Sequence, residues 1–451
     1  MQVSELDRSL GIEVYATKTS GVGGKIRESA EDFIVEETLV DGSKAPIDGT
    51  VPNKALGSTQ NKQRFLLCTL VKRNWDTFIA VKNVAKALGL EQKRVQFAGI
   101  KDAKALTAQY ITLENVSLEE VAKVDLKDVQ VHPVGYVREQ LSLFYLLGNQ
   151  FTITIKNLNV PEAETKEQIE QTMQQLTAIG GIPNFYGHQR FGTTRPITHI
   201  VGKALSQGNF EEATMLFLAY PSIYEHPTSR QARLKLQETK NFKQASETFP
   251  KQLRFERLML LHLADHPNDF VGAFKRLPPK LQALFVQAHQ SYLFNRFISE
   301  RVKAGLPLGE ATMGDFVVGV ERSGLPLTTV SKVVAPEKLD EINTQIKAGK
   351  LRVALPIVGF KQKLSQGAMG QIEAKVLAQE GVESGNVWSN ELSRVGGKGG
   401  LRAIVTPVLG YRLIKIGDGA ATTSFMLHRG CYATVVLREI IKPPNLVAAG
   451  F

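Results

Sequence analysis

FAGIKDAKALTAQ, residues 97–109, joins two short apolar segments through a polar loop. The segments at 94–100 and 107–113 predict two strands, so Asp102 lies where one strand ends. A carboxylate in such a loop can be held rigidly beside a cleft. The residues taken alone favour a solvated turn, because Lys-Asp pairs are common in turns.

Sequence typical of a sheet surrounds this loop. Residues 25–40 predict a strand broken by a turn at Glu31-Asp32, and the apolar run at 63–71 predicts another strand. Residues 75–88 place their apolar side chains on one helical face, which predicts a helix that covers the sheet. Further along the chain, residues 151–155 alternate as a strand does, and residues 161–180 have the pattern of an amphipathic helix.

The periodicity becomes mostly helical from about residue 195 to residue 394, and the Gly-rich segment 396–400 then leads into strand-like sequence. The long helical patterns fall at 252–266, 279–301 and 336–349, and the strand-like segments at 401–416, 424–427 and 432–437. We therefore expect an α+β fold in which a mixed or antiparallel sheet with helices is interrupted by a mostly helical inserted domain. The expected boundaries assign residues 1–194 and 401–451 to the sheet domain and residues 195–400 to the insertion.

Composition limits the class of protein. The chain has 451 residues and a formal net charge of +11, which indicates a polyanionic partner. Its two cysteines, Cys68 and Cys431, are too few and too far apart for a disulfide framework, so a reducing cytoplasm is expected. The first residues lack the apolar core of a signal peptide, and no stretch approaches the roughly 18 apolar residues of a membrane span.

Common cofactor and metal signatures are missing from the sequence. Neither GVGGKI nor GGKGG has the full phosphate-loop spacing, and there is no dinucleotide-binding fingerprint. His262 and His266 have helical i, i+4 spacing, but the glutamate of a zinc-peptidase motif is absent. We therefore expect no metal and no cofactor.

The loop motif resembles the GxKDxxAxTxQ signature of the TruD family of pseudouridine synthases. The matching residues are Gly99, Lys101, Asp102, Ala105, Thr107 and Gln109. Further blocks match in the family's order: IRESAEDFIVEE at 26–37, PNFYGHQRFG at 183–192, QSYLFNR at 290–296 and LHRGCYATVVLREIIKP at 427–443. The blocks run over nearly the whole chain.

The resemblance implies a catalytic sheet domain, an inserted domain and an isomerase that converts uridine to pseudouridine in RNA, most characteristically at position 13 of tRNA. It implies tRNA as the partner, with no cofactor, no membrane and no obligatory protein partner. Two alternatives stay open at this point. One is an isomerase that acts on other RNAs, and the other is an RNA-binding protein without catalysis, which the net charge would also suit.

The resemblance assigns the catalytic carboxylate to Asp102. This carboxylate would attack the uracil or the ribose carbon, or remove a ribose proton, and the sequence does not choose among the three. The family's basic position, often Lys, falls on Arg27, which would keep the carboxylate ionised and oriented. Lys101 and Gln109 of the same motif are candidates for substrate binding.

A flipped base needs an aromatic face and polar groups that read its edge. By resemblance, Tyr186 and Tyr432 are the aromatic candidates, and Asn184 and Phe185 are binding candidates. Core packing is the default interpretation of either tyrosine alone. Three further residues, Gln189, Arg190 and Arg195, are candidates for RNA contact, with a solvated surface position as the equally weighted alternative.

Overall fold

The computed structural model describes residues 2–50, 57–158, 160–192, 194–382 and 397–451. Contacts divide the chain into two compact units. The sheet unit comprises Thr17–Ile182, Glu321–Leu325 and Thr406–Phe451, and the helix-rich unit comprises Met1–Ala16, Pro183–Val320 and Pro326–Val405. The domain boundaries expected at residues 195 and 400 stay a prediction, and Gly396 of the Gly-rich segment lies outside the described residues.

The structure has the following strands in chain order among the described residues. They are β1 Phe33–Leu39, β2 Phe65–Arg73, β3 Val95–Phe97, β4 Leu106–Glu114, β5 Val129–Val137, β6 Leu146–Ile155, β7 Ile182–Pro183, β8 Phe316–Val320, β9 Pro326–Val333, β10 Leu351–Ile357, β11 Gly400–Ala403, β12 Val405–Thr406, β13 Leu409–Gly417 and β14 Ala420–His428.

The α-helices are α1 Glu5–Ser9, α2 Thr77–Ala87, α3 Leu118–Val121, α4 Glu162–Ala178, α5 Thr198–Ser206, α6 Phe210–Ala219, α7 Pro227–Thr239, α8 Phe242–Thr248, α9 Arg254–Asp265, α10 Phe270–Lys275, α11 Pro279–Lys303, α12 Leu339–Lys347, α13 Gly367–Gln379 and α14 Ala433–Ile441. Among the described residues, no helix is long and apolar enough to cross a membrane.

The sheet unit is built on a mixed sheet with the strand order β13-β14-β6-β1-β4-β2-β5, and β3 pairs with β4 beside this path. The central β1 and β4 are parallel, with Val35 opposite Thr107. The other neighbours are antiparallel. The expected mixed or antiparallel sheet is therefore confirmed.

Burial on both faces of the sheet explains the continuous apolar run of β2. Leu66, Cys68 and Leu70 pack in one cluster with the apolar face of α2. Leu67 and Val71 belong to a separate cluster. Alternate residues of a strand point to opposite faces, so a strand buried on both sides has no polar alternation.

Two local features fix the loop that carries Asp102. The antiparallel pairing of Phe97 with Ile111 makes β3 and β4 a hairpin, and residues 98–105 are its connection. The carboxylate of Asp76 caps α2 by accepting from the backbone N–H groups of Phe78 and Ile79. The first residue of α2, Thr77, accepts from the N–H of Lys101 at 3.1 Å, so the predicted helix begins beside the loop.

The helix-rich unit has its own core, formed by helices α5 to α11. It also contains an antiparallel sheet with the order β11-β10-β8-β9, which the sequence did not predict. The residues of β9 are mostly exposed, so the strand lacks an apolar alternation. The strand predicted at 432–437 is wrong, because residues 433–437 lie in helix α14, whose first turns carry a run of β-branched residues that is typical of strands.

Candidate active site

Asp102 lies in the β3–β4 connection, with 30% of its side chain exposed. The backbone carbonyl of Asp102 accepts a 2.7 Å hydrogen bond from the Nζ of Lys72, which also donates to the carbonyl of Trp75 at 2.8 Å. Lys72 is completely buried. The lysine therefore clamps the backbone of the loop while the carboxylate stays accessible.

Arg27 supplies the basic partner that the motif alignment predicted. Its Nη2 lies 2.8 Å from Oδ1 of Asp102, and its Nη1 donates to the carbonyl of Gly450 at 3.1 Å. The guanidinium carbon lies 3.9 Å from the centre of the Phe33 ring. The aromatic face and the Gly450 carbonyl together hold the guanidinium in one orientation toward Asp102.

The backbone of Arg27 is strained, with φ at 60°. A left-handed conformation costs roughly 1–2 kcal/mol for a residue with a Cβ atom. Lys25 exchanges both backbone hydrogen bonds with Lys156, and the N–H of Ile26 donates to the carbonyl of Ala449 at 2.9 Å. These bonds hold the strained turn that directs Arg27 toward Asp102.

Burial shapes the electrostatics around the carboxylate. It lowers the pKa of Arg27, while the charge of Asp102 acts in the opposite direction. Burial also lowers the pKa of Lys72 to about 8, again opposed by Asp102 and by Asp76. Near neutral pH both cations are charged, and Arg27 binds the carboxylate of Asp102 while Lys72 binds its backbone carbonyl.

Lys101 and Gln109, both predicted to bind substrate, are buried beneath the loop. The Nζ of Lys101 lies 2.5 Å from Oε1 of Glu37, and Oε2 of Glu37 accepts from the N–H of Tyr110 at 2.8 Å. The side-chain amide of Gln109 donates to the carbonyl of Gly99 at 3.0 Å. Both side chains hold the framework of the loop, and their contact with substrate stays a prediction.

Tyr432 precedes α14 at its N-cap position and is half-buried. Every residue of the helix behind it, Ala433–Ile441, is buried, so the tyrosine is attached to a rigid element. Its role toward a substrate base stays a prediction.

Asn184, in the helix-rich unit, has both ends of its amide engaged. Its Nδ2 donates to the carbonyl of Ala403 at 2.9 Å, and its Oδ1 accepts from Nη2 of Arg402 at 2.6 Å. Its backbone N–H donates to the carbonyl of Ile404 at 2.7 Å. The residue therefore fixes the PNFYG segment to the end of β11.

Tyr186 is held through its backbone and its ring. Asn295, within the QSYLFNR block, accepts from its N–H at 2.8 Å and donates to its carbonyl at 3.0 Å. The guanidinium carbon of Arg402 lies 4.1 Å from the centre of the half-buried tyrosine ring, and Phe294 meets the ring edge-to-face. Phe185 is only 1% exposed and packs in the core, so it presents no ring face to solvent.

The three remaining candidates follow this segment along the chain. Gln189 is half-buried in the turn 188–190. Arg190 donates to the side chains of Ser291 and Gln287 at 3.2 Å each. Arg195 donates to the carbonyls of Phe217 and Tyr220 at the end of α6, and burial lowers its pKa to about 10. Arg195 thus supports a helix end, which the sequence did not predict, and its contact with RNA stays a prediction.

Among the described residues, no group of three or more His, Cys, Asp or Glu side chains is placed to hold a metal ion. Of the two histidines with helical i, i+4 spacing, His262 lies 2.8 Å from a carboxylate oxygen of Asp269, the N-cap residue of α10.

The model of the family described as tRNA pseudouridine synthase D (TruD) matches residues 9–440 of this chain. The chain belongs to the TruD family. It is 37% identical over 447 residues to a Methanosarcina acetivorans protein named "Probable tRNA pseudouridine synthase D", and the match covers 98% of each chain. A Pyrococcus abyssi protein of the same name is 37% identical over 428 residues, covering 95% of this chain and 98% of the other.

A crystal structure of a Methanosarcina mazei protein, described as "Putative tRNA pseudouridine synthase D (TruD)", has the same fold. The TM-score is 0.82 at 35% sequence identity, covering 98% of this chain and 99% of the other. The family resemblance inferred from the sequence blocks is therefore confirmed along nearly the whole chain. The TruD assignment covers both the sheet unit and the helix-rich unit.

Proposed function

We propose that this chain isomerises uridine to pseudouridine in tRNA, characteristically at position 13, with Asp102 as the catalytic carboxylate. The observation that carries the proposal is the arrangement of Asp102, which is partly exposed while Arg27 pairs with one carboxylate oxygen at 2.8 Å. The family named for this activity matches residues 9–440.

The reaction defines what the site must supply. The glycosidic bond between C1′ and N1 breaks, the uracil turns over, and C5 bonds to C1′. The proton on C5 is lost and N1 gains one, so the base keeps its composition and needs neither an oxidant nor a reductant. A carboxylate suffices to attack the base or the ribose, or to remove a ribose proton.

Arg27 orients the carboxylate for any of these three routes. Because its Nη2 binds Oδ1, the second oxygen of Asp102 is left to meet the reacting atom. Because the guanidinium is fixed by Phe33 and Gly450, little reorganisation is needed when charge moves on the carboxylate. Lys72 positions Asp102 through its backbone carbonyl.

Base recognition is assigned to the aromatic residues of the matched blocks. Tyr432 in the sheet unit and Tyr186 in the helix-rich unit are the proposed aromatic contacts for substrate bases, and Asn184 positions the segment that carries Tyr186. The excess positive charge of +11 supports binding to the phosphate backbone. The proposed compartment is the cytoplasm, and no protein partner is part of the proposal.

Release of tritium from tRNA labelled at uridine C5 tests this proposal, because the C5 proton leaves only when C5 becomes bonded to C1′. Wild-type protein should release one equivalent per modified site. Position-resolved mapping of the product separates position 13 from other uridines. Stoichiometric tRNA binding without tritium release would favour an RNA-binding protein without catalysis.

A further inference from the structure

We propose that Phe144 and the adjoining pocket in the sheet unit form a second RNA subsite, which stacks an unpaired nucleobase of the substrate and holds its phosphate. The inference rests on the proposed function, since that function brings RNA to the loop of Asp102. The subsite lies outside every residue that the sequence motifs assigned to substrate.

The turn at Leu143–Tyr145 presents large apolar side chains to solvent. Phe144 is 84% exposed and Leu143 is 59% exposed. Burying such a ring against a partner is favourable, and a nucleobase offers a flat face of matching size. An aromatic ring this exposed on the surface of an RNA-modifying enzyme therefore fits a stacking contact.

The turn is held rigidly by its backbone. The Nη1 of Arg429 donates to the carbonyls of Leu143 at 2.9 Å and Leu146 at 2.8 Å, and it lies 3.4 Å from the carbonyl of Phe144. The carbonyl of Tyr145 accepts from the N–H of Val40 at 2.9 Å. A fixed turn keeps Phe144 in place before RNA arrives, which lowers the entropy cost of binding.

A shallow pocket of about 520 Å³ adjoins the ring. This volume lies within the roughly 300–1,000 Å³ typical of small-ligand sites, which is enough for one nucleotide. Its lining residues are Arg64, Phe65, Arg138, Glu139, Gln140, Ser142, Phe144 and Tyr145. The lining therefore combines aromatic rings with two guanidinium groups, which is the composition of single-stranded RNA sites.

The acidic and the basic side chains that line the pocket have different roles. The carboxylate of Glu139 accepts the phenol hydrogen bond of Tyr145 at 2.7 Å, so it orients that ring. Arg64 uses Nε and Nη2 to bind one oxygen of Glu114, and its side chain is 68% exposed. Arg138 is also exposed. We assign the phosphate contact to the two arginines.

The turn is attached to the motif that carries Asp102. A methyl group placed on Gly99 would lie 3.1 Å from the side chain of Leu146, the first residue after the turn. Arg429, which binds the turn, belongs to the LHRG block that the chain shares with its family. The residue that follows the turn thus lies near the loop segment that precedes Asp102.

Fluorescence anisotropy with an end-labelled, unmodified tRNA transcript tests the subsite on the full chain. Phe144→Ala should raise the Kd for tRNA about tenfold, because stacking on one aromatic ring contributes roughly 1–3 kcal/mol. Phe144→Tyr and Phe144→Trp should stay within about twofold of wild type, whereas Phe144→Leu should resemble alanine. The double variant R64Q/R138Q should lower the slope of log Kd against log salt by about one to two.

Ile414→Ala and Arg412→Gln on the exposed edge strand β13 are the matched controls, and both should bind tRNA as wild type does. Wild-type affinity in Phe144→Ala, or equal binding by Phe144→Leu and Phe144→Tyr, would overturn the stacking assignment. A change in oligomeric state without a change in tRNA affinity would instead assign the turn to a second copy of the chain, and would also overturn it. Because binding is measured without turnover, loss of the proposed function would appear separately, as a wild-type protein that binds tRNA through Phe144 but forms no pseudouridine.

Discussion

Arg27 in the sheet unit and Arg402 in the helix-rich unit each lie on an aromatic ring, and they differ in what their remaining donors bind. Arg27 lies 3.9 Å from the centre of the Phe33 ring and binds a partly exposed carboxylate. Arg402 lies 4.1 Å from the centre of the Tyr186 ring and binds the neutral amide of Asn184. The same cation–π arrangement therefore holds the carboxylate of Asp102 in the sheet unit and the amide of Asn184 in the helix-rich unit.

This difference predicts two kinds of mutational effect. Changes at Asp102 and Arg27, the charged cluster, should lower turnover while tRNA binding is kept. Changes at Tyr186 and Asn184, the neutral cluster, should weaken tRNA binding more than they lower the rate at saturation.

The largest effect is expected for Asp102→Asn. The amide is neither a useful nucleophile nor a base, so the single-turnover rate should fall by at least about 10⁴-fold. Tritium release measures the rate, and anisotropy should give unchanged tRNA affinity. Asp125→Asn, at an exposed position in the same unit, is the matched control. Turnover of Asp102→Asn near the wild-type rate would remove Asp102 from the chemistry.

Arg27→Met should lower the rate by about 10²- to 10³-fold, in the range seen when one fixed donor to a reacting charge is removed. Arg27→Lys should recover much of that loss, because an ammonium group keeps the positive charge. The recovery should be incomplete, because the ammonium lacks the planar fork with which the guanidinium binds both Asp102 and the Gly450 carbonyl. Single-turnover rates at saturating protein measure both. Equal rates for Arg27→Met and wild type would show that the ion pair serves stability alone.

Lys72 should give a smaller effect with a distinct pH dependence. Its pKa is lowered to about 8, so the amine is charged below that pH and loses its charge as pH rises through 8. Wild-type turnover should therefore decline above pH 8, and Lys72→Met should be about tenfold slower with that decline absent.

Stability should change in the opposite direction over the same range. The folded-state pKa of Lys72 lies below the ordinary value of 10.5, so the unfolded chain binds more protons between about pH 8 and 10.5. The contribution of Lys72 to the free energy of unfolding therefore rises with pH in this window. Lys82→Met, at an exposed position on α2, is the control for loss of one charge. If the turnover of Lys72→Met still declined above pH 8 as the wild type does, another group would be responsible for that decline.

Tyr186 tests the neutral cluster. Tyr186→Ala should weaken tRNA binding by about tenfold, because stacking on one ring is worth roughly 1–3 kcal/mol. Tyr186→Phe keeps the ring and should have near-normal activity. Tyr220→Ala, at an exposed position in the same unit, is the control. A loss in Tyr186→Phe as large as that of Asp102→Asn would show that the phenol takes part in chemistry.

The smallest effect is expected from metal removal. Activity should survive exhaustive chelation, because the proposed chemistry uses a carboxylate and the sequence has no metal-ligand spacing. Tritium release is measured with the tRNA kept folded by a polyamine. Activity lost on chelation and restored by zinc would contradict this expectation.

The sequence predicted Asp102 and Arg27, but not Lys72, which holds the backbone of Asp102. Asp102 and Arg27 belong to short blocks whose pattern carries the chemistry, and the structure has them paired at 2.8 Å. Lys72 was missed because its partners are the carbonyls of Trp75 and Asp102, and the path of a backbone cannot be read from residue types. A lysine at the end of an apolar strand is the signal that could have indicated it.

The correct and wrong predictions of helices and strands also depend on which patterns are visible in the sequence. Elements with one buried face, such as α2 and α4, were predicted within a few residues because their periodicity is visible. Helix α14 begins with a run of β-branched residues that is typical of strands, and strand β9 is exposed along most of its length and therefore lacks apolar alternation. The RNA contact proposed for Arg195 stays a prediction, and its hydrogen bonds to two backbone carbonyls could not be read from residue type.

Position-resolved mapping of pseudouridine in an unmodified tRNA transcript tests the central claim most directly. The transcript is incubated with wild-type protein or with Asp102→Asn, at concentrations that give equal tRNA binding. The wild type should convert uridine 13, and the variant should convert none. Equal pseudouridine formation by both proteins, or none by the wild type while it binds tRNA fully, would contradict it.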